Sequence, residues 1–376
     1  MSKGLNAAVV NSLHGAADSE YDQFVWNETM TEVDKGWLAP SSLDGECFVA
    51  KRFPVPQKDK VRLVDFTICG VNGAYGLREK LRVQAVDELC SYLAYMLDQT
   101  DGRSRPRLTG RTYDLKSAYK QFGVDKWHAD RLRIAVKRPE GGVGIFAALA
   151  LPFGASGSVS SFLCVAASLT CIGVVALQVL WTSFFDDCTC VCVEGEETNV
   201  SFYVESLFRL LGVWIAESGS KATPFGPSFK SLGVIFDVGG IPDGSFSPLH
   251  TESRKSELVQ MLDTLMKTQR STPKELERLH GRLIWFSAFV FGRMINQLVK
   301  AVSQESLKRT KSIQFSSEFL HTLNDLKAAI TLSKPVVISK SLCTTWYVFT
   351  DGAFEPDSDV LASVGAVLIS PSQNVC

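Results

Sequence analysis

The sequence predicts an α+β fold, and three patterns predict it. Up to about residue 250, apolar runs come in pairs separated by turn signals. Past residue 250, apolar residues recur at helical spacing. Residues 345–350 and 362–369 then read as strands again. Of 376 residues, 45% are hydrophobic and 21% charged, which supplies a sizeable core and excludes wholesale disorder. That length allows two or three domains.

Residues 1–50 show weak periodicity and are expected to be a partly ordered lead-in. Residues 1–20 lack a basic stretch followed by an apolar run, so no secretory signal is read there. Residues 53–66 read as two extended pieces around the polar turn Gln57-Lys58-Asp59-Lys60. Residues 131–136 alternate, Pro139-Glu140-Gly141-Gly142 is a turn signal, and 143–149 are apolar, together a hairpin.

Residues 162–181 contain no charge and are numerous enough to span a bilayer. Ser168, Thr170 and Gln178 dilute the run, no basic cluster flanks it, and Asp186 and Asp187 follow at once. A helix apolar on all sides can equally lie inside a soluble domain. A strand–turn–strand unit follows, centred on Asp186-Asp187. Cys188, Cys190 and Cys192 alternate within it, which puts all three on one face of a strand. No Cys–His ligand set surrounds them, so small buried residues are expected there, not a metal site. Ten cysteines in a chain this long do not indicate a disulfide scaffold.

Thr272-Pro273-Lys274-Glu275 combines an N-cap, Pro at the first helical position and Glu three residues after the cap. Leu276, Leu279, Leu283 and Phe286 follow at helical spacing, and 316–332 form another amphipathic helix.

The net charge of -1 conceals opposed blocks. Residues 1–50 hold eight acids and two bases, and 181–220 hold seven acids and one base. Residues 101–140 hold eleven bases and five acids, and 251–310 eleven bases and six acids. The average therefore does not exclude a nucleic-acid partner.

Asp114 closes a strand-like stretch, and Asp186 and Asp187 stand together between apolar strands. Adjacent acids in such a place repel each other and are penalised by desolvation; divalent cations remove that penalty. A lone Asp-Asp pair reads as a solvated turn. Its companions change that reading. Phe53-Pro-Val-Pro-Gln-Lys-Asp-Lys-Val-Arg-Leu-Val-Asp-Phe66, Tyr113-Asp-Leu-Lys-Ser-Ala-Tyr119, Leu151-Pro-Phe-Gly154 with Gly157-Ser158, Phe184-Phe-Asp-Asp187, Ser220-Lys221 and Leu232-Gly233-Val234 follow in order. The chain resembles the reverse transcriptases of retrotransposons and retroviruses, from about residue 53 to its end. Trp346-Tyr-Val-Phe-Thr-Asp-Gly-Ala353 with Gly365-Ala-Val-Leu368 resembles the opening of a ribonuclease H domain.

The resemblance implies a right-hand polymerase. Fingers and palm would occupy 51–250, a helical thumb 251–310, a connection 311–342, and the first strands of a ribonuclease H-like fold 343–376. It implies an RNA-directed DNA polymerase, a nucleotidyltransferase of a transposable element that adds dNTPs to a primer on an RNA or DNA template. Asp114, Asp186 and Asp187, with the Leu115 carbonyl, would hold two Mg²⁺, with Mn²⁺ as a substitute. Lys60 and Arg62 would contact the triphosphate, and Lys221 would protonate the pyrophosphate. Phe153 would pack on nucleotide or template, and Gly154 would let the backbone approach the nucleotide. Tyr119 would clash with a ribose 2′-hydroxyl and so select deoxynucleotides. The palm of this family carries a buried helix where 162–179 fall, which makes that run a core helix, not a membrane span.

Phe184 replaces the Tyr usual in the Asp-Asp box, an expected modulation of activity. Asp351 matches the first metal-ligand Asp of ribonuclease H, but that fold needs further acids on later elements and too few residues remain before Cys376 to build it, so no ribonuclease H activity is expected from this chain alone. An intracellular location, cytoplasmic or nuclear, is expected. The competing reading is a truncated, non-catalytic element relic that binds nucleic acid or a protein partner.

Overall fold

The computed structural model describes residues 2–17, 19–57, 61–66, 72, 83–99, 105–218, 222–287, 293–308, 310–340, 347–354 and 362–369. The first part of the chain forms α1 (Ser2–His14), α2 (Asp22–Asp34), β1 (Leu38–Pro40), β2 (Phe48–Pro56) and β3 (Val61–Phe66). Next come α3 (Val86–Asp98), β4 (Leu108–Asp114), the short α4 (Lys126–Ala129), β5 (Leu132–Lys137) and β6 (Val143–Ala148). Then follow α5 (Ser156–Cys171), β7 (Leu180–Phe184), β8 (Asp187–Val193), α6 (Glu197–Leu210), β9 (Ser228–Ser231), β10 (Val234–Asp237) and β11 (Ser245–His250). The last part has α7 (Glu252–Thr268), α8 (Pro273–Ser287), α9 (Arg293–Ser306), α10 (Ser317–Thr331), β12 (Ile338–Ser339), β13 (Tyr347–Phe354) and β14 (Ala362–Ile369). The fold is thus α+β, as the patterning predicts.

A five-stranded sheet runs in the order β1-β6-β5-β2-β3. Its two hairpins are the ones legible in the sequence. The β5–β6 turn closes through Arg138 N–H to the Gly142 carbonyl, 3.0 Å, with Gly141 and Gly142 both at positive φ. Residues 1–50 are more ordered than expected. Val25 of α2 packs with Ile134 and Val136 of β5, and Leu13 of α1 packs with Val49 of β2 and Ala135 of β5. Asn6 replaces an apolar contact with two hydrogen bonds: its side-chain amide donates to the Cys47 carbonyl at 2.8 Å and accepts from Val49 N–H at 3.1 Å. A polar residue facing the sheet breaks the apolar period, which explains the weak signal.

A three-stranded antiparallel sheet, β4-β8-β7, packs against α5 and α6. Cys188 and Cys190 are fully buried on it. Burial pushes the Cys188 thiol up to about 12, consistent with inert packing. A four-stranded sheet, β12-β11-β10-β9, lies beyond it.

The apolar run departs from its expected form. Its helix begins earlier, at Ser156, and continues through a π-helical turn, Ile172–Ala176. Leu180 and Trp181 belong to β7. By length and composition the 21 residues of Ser156–Ala176, with hydropathy 2.1, could cross a membrane. Nor is the helix buried on all sides: 28% of its most apolar window is buried. One stripe, Phe162, Ala166, Leu169 and Gly173, faces the sheet, and Val174 and Val175 face outward. The stripe is closely fitted. A Cβ on Gly173 would overlap the Trp181 ring.

Helices α7 to α10 share one core. Leu276, Leu279, Leu283 and Phe286 of α8 are each 0% exposed, and full burial of each is worth about 1.5–3 kcal/mol. The α8 N-terminus forms the expected capping box: Thr272 N–H donates to Glu275 Oε2 at 2.9 Å, and Glu275 N–H to Thr272 Oγ1 at 3.3 Å. Ser316 caps α10 through Phe319 N–H at 3.2 Å. β13 and β14 pair antiparallel, with Asp351 opposite Gly365.

Candidate active site

The three acids meet at one end of the β4-β8-β7 sheet. The β4–β8 register sets Asp114 opposite Asp187, and the β7–β8 register sets Phe184 opposite the same residue. Phe185 and Asp186 form the two-residue turn between them. Such tight turns favour positive φ, and Phe185 adopts φ 52°, an unusual state for an aromatic residue. Leu115 N–H donates to the Asp186 carbonyl at 3.4 Å, and Ala216 N–H to the Asp114 carbonyl at 2.9 Å. The chain after Asp114 turns sharply through Ser117, φ 60°, into a 3-10 turn, Ala118–Gln121, that carries Tyr119.

The backbone thus gathers the acids, but among the described residues no three His, Cys, Asp or Glu side chains are close enough to hold a metal ion as they stand. Like-charged carboxylates separate when no cation offsets their repulsion. Their chemistry fits Mg²⁺, which keeps several waters and takes one or two carboxylates plus substrate phosphates.

Tyr119, Phe153 and Phe162 form an aromatic group beside the acids. Tyr119 stacks on Phe162 with centroids 4.6 Å apart and meets Phe153 edge-on at 5.8 Å. Burial, then the charge of Asp186, raises the Tyr119 phenol above its usual range. Arg62 lies over the Phe153 ring at 5.8 Å. Gly154 has φ 130°, and a Cβ there would overlap the Asp65 carbonyl oxygen. Close approach of β3 therefore requires this glycine, before any nucleotide is considered. Lys60 and Lys221 lie outside the described residues, as do Lys58, Asp59 and Ser220.

Two residues escaped the sequence reading. Arg254, in the first turn of α7, and Trp285, near the end of α8, line a cavity of about 310 Å³ with Phe184, Asp186, Asp187 and Gly233. Leu232 and Gly233 turn the chain between β9 and β10 with φ 53° and 73°. The Arg254 guanidinium packs on Gly233 and lies 5.9 Å from the Trp285 ring centroid. Its Nη1 is buried without a hydrogen-bond partner among the described residues. A cation in a first helical turn opposes the helix dipole; that position was the available sequence signal. A larger cavity, about 450 Å³, is lined by Phe122, Asp125, His128, Leu151 and Ser158 and by none of the three acids.

No protein-family model and no curated protein matches the chain. Solved structures do. The foamy viral protease-reverse transcriptase dRH in complex with double-stranded DNA superposes with a TM-score of 0.60 at 14% identity, over 89% of this chain and 52% of that one. The foamy viral protease-reverse transcriptase in complex with double-stranded DNA gives 0.60 at 14% identity, over 95% and 68%. The chain has a retroviral polymerase-like fold. It spans about half the length of the first of these neighbours. In this polymerase-like fold the three acids stand at a sheet end; Tyr119 lies within reach of the Asp186 charge, and Arg254 shares a cavity with Asp186 and Asp187.

Proposed function

We propose that the chain is an RNA-directed DNA polymerase of a retroelement, extending a primer with dNTPs. The observation that carries this reading is the register pairing of Asp114 with Asp187, with Asp186 in the adjoining turn. In this reading the five-stranded sheet belongs to the fingers, the β4-β8-β7 sheet is the palm, α7 to α9 form the thumb, and β13–β14 begin a ribonuclease H-like fold. Asp114, Asp186 and Asp187, with the Leu115 carbonyl, would hold two Mg²⁺, for which Mn²⁺ could substitute; bound there, the metal would supply activation of a 3′-hydroxyl and stabilisation of the leaving oxygen. Arg62, with Lys60, binds the triphosphate as a cationic pair. Tyr119, backed by Phe162, fills the space a 2′-hydroxyl needs. Phe153 packs on the base or template, and Lys221 donates a proton to the pyrophosphate. The bases of α7 to α9 track the nucleic-acid backbone, which makes binding salt-dependent.

The test is extension of a DNA primer on an RNA template by purified protein. Mg²⁺-dependent incorporation of dNTPs supports the reading; a folded sample inert with both Mg²⁺ and Mn²⁺ refutes it.

A further inference from the structure

A buried ionic network ties helix α2 to the two segments that carry Tyr119 and Phe153. Arg52 on β2 is 3% exposed and Asp65 on β3 1%. The guanidinium donates to both Asp65 oxygens, from Nε at 2.8 Å and from Nη2 at 3.2 Å. Its Nη2 also lies 2.9 Å from Glu32 Oε2 on α2. The same Glu32 oxygen accepts from Lys120 Nζ at 3.0 Å. One carboxylate oxygen thus holds two cations from two different elements.

Each arm ends beside the aromatic group. Lys120 directly follows Tyr119 in the 3-10 turn. Asp65 N–H donates to the Phe153 carbonyl at 2.8 Å, and the Asp65 carbonyl occupies the place of a Gly154 side chain. Buried ion pairs pay a heavy desolvation cost that apolar packing of the same volume avoids. What this network adds over apolar packing is direction: it fixes where the turn carrying Tyr119 stands relative to the loop carrying Phe153.

We propose that Glu32 is a positioning residue for the nucleotide pocket, setting dNTP affinity and sugar selection from the N-terminal segment. The proposal rests on the reading of Tyr119 and Phe153 as nucleotide-facing. Three variants test it: Glu32→Gln, which keeps shape and removes charge; Lys120→Met, which leaves the Arg52–Asp65 pair whole; and Glu32→Asp, the conservative control. Misplacement of a substrate-positioning wall is costly, so Glu32→Gln and Lys120→Met should each raise the KM for dNTP about tenfold. Both should narrow the dNTP-over-rNTP preference, with kcat within about twofold and primer–template affinity unchanged. Glu32→Asp should restore much of the loss. Amide exchange at Asp65 and across residues 118–122 should quicken in Glu32→Gln. With active wild type, unchanged KM and sugar preference in both folded variants overturn the proposal and leave the polymerase reading intact. Should wild type fail to extend, that reading falls with its sugar selection. Faster exchange then still supports Glu32 as the tie between the two segments, and unchanged exchange overturns it.

Discussion

Asp114 and Asp187 face each other at the last register position of the β4–β8 ladder, and Asp186 sits one residue away in a turn that forces Phe185 to φ 52°. The backbone alone brings the three carboxylates to one strand end. Asp186→Asn should cut Mg²⁺-dependent primer extension at least a hundredfold or so, by analogy with the loss of other preorganised charge-stabilising groups. Thermal unfolding should not move down, because one of three repelling acids is gone. Retained extension would show that Asp186 is not a metal ligand.

Tyr119 is supported from below by Phe162 at 4.6 Å and from the side by Phe153 at 5.8 Å, so its ring has little freedom to withdraw. Tyr119→Ala should raise ribonucleotide incorporation about ten- to a hundredfold, the range a single steric contact commands. Tyr119→Phe should leave the sugar preference as it was. Single-nucleotide incorporation with matched dNTP and rNTP measures both; equal preference in all three proteins would remove the steric role.

Gly154→Ala should destabilise the fold by about 2–4 kcal/mol, from positive φ together with overlap on the Asp65 carbonyl. Urea unfolding measures it, and the loss should appear without any nucleotide present. A variant as stable as wild type would mean that β3 can shift away from the loop at no cost.

Arg254 stands at the carboxylate cavity with a buried donor that has no partner among the described residues. If it meets a backbone phosphate of the primer, Arg254→Gln should reduce the slope of log affinity against log salt by about one. Anisotropy titrations of a labelled primer–template at several salt concentrations check this. An unchanged slope would assign Arg254 to packing against Trp285 alone.

His250 is buried, stacks on Phe286 at 4.0 Å and donates from Nε2 to the Phe286 carbonyl at 3.0 Å. Burial, then the charges of Arg254 and Lys255, lowers its pKa to about 4. The folded state therefore favours the neutral ring, and the unfolded chain takes up a proton first as pH falls. Stability should be constant above about pH 6.5, fall by a few kcal/mol between about 6.5 and 4, and stop falling on this account below that. His250→Gln should flatten this part of the profile in urea unfolding at pH 7, 5.5 and 4.5.

Much of this fold was legible from local chemistry. The β5–β6 hairpin announced itself through period-two alternation and a Gly-Gly turn, and α8 through a capping box that forms as written. The order of the three acids, and their position at strand ends, was also plain. The N-terminal helices were not, because Asn6 and Glu32 stand where an apolar residue would have kept the period, and their partners lie in distant strands. The helix of 156–176 packs into the core along one stripe, and which stripe was not legible for a related reason. Apolar content says that burial is affordable, not which faces are covered, and only the fit of Gly173 against Trp181 reveals the stripe that is.

By itself the sequence determined periods, caps, turns and the residue types available for chemistry, since those depend on neighbours along the chain. The tertiary structure alone decided that Asp114 pairs with Asp187, that Arg254 reaches the same cavity from α7, and that one oxygen of Glu32 holds Arg52 and Lys120. Each of these depends on burial and on charges brought close in a low-dielectric interior, and both arise only when segments far apart in the chain are packed together.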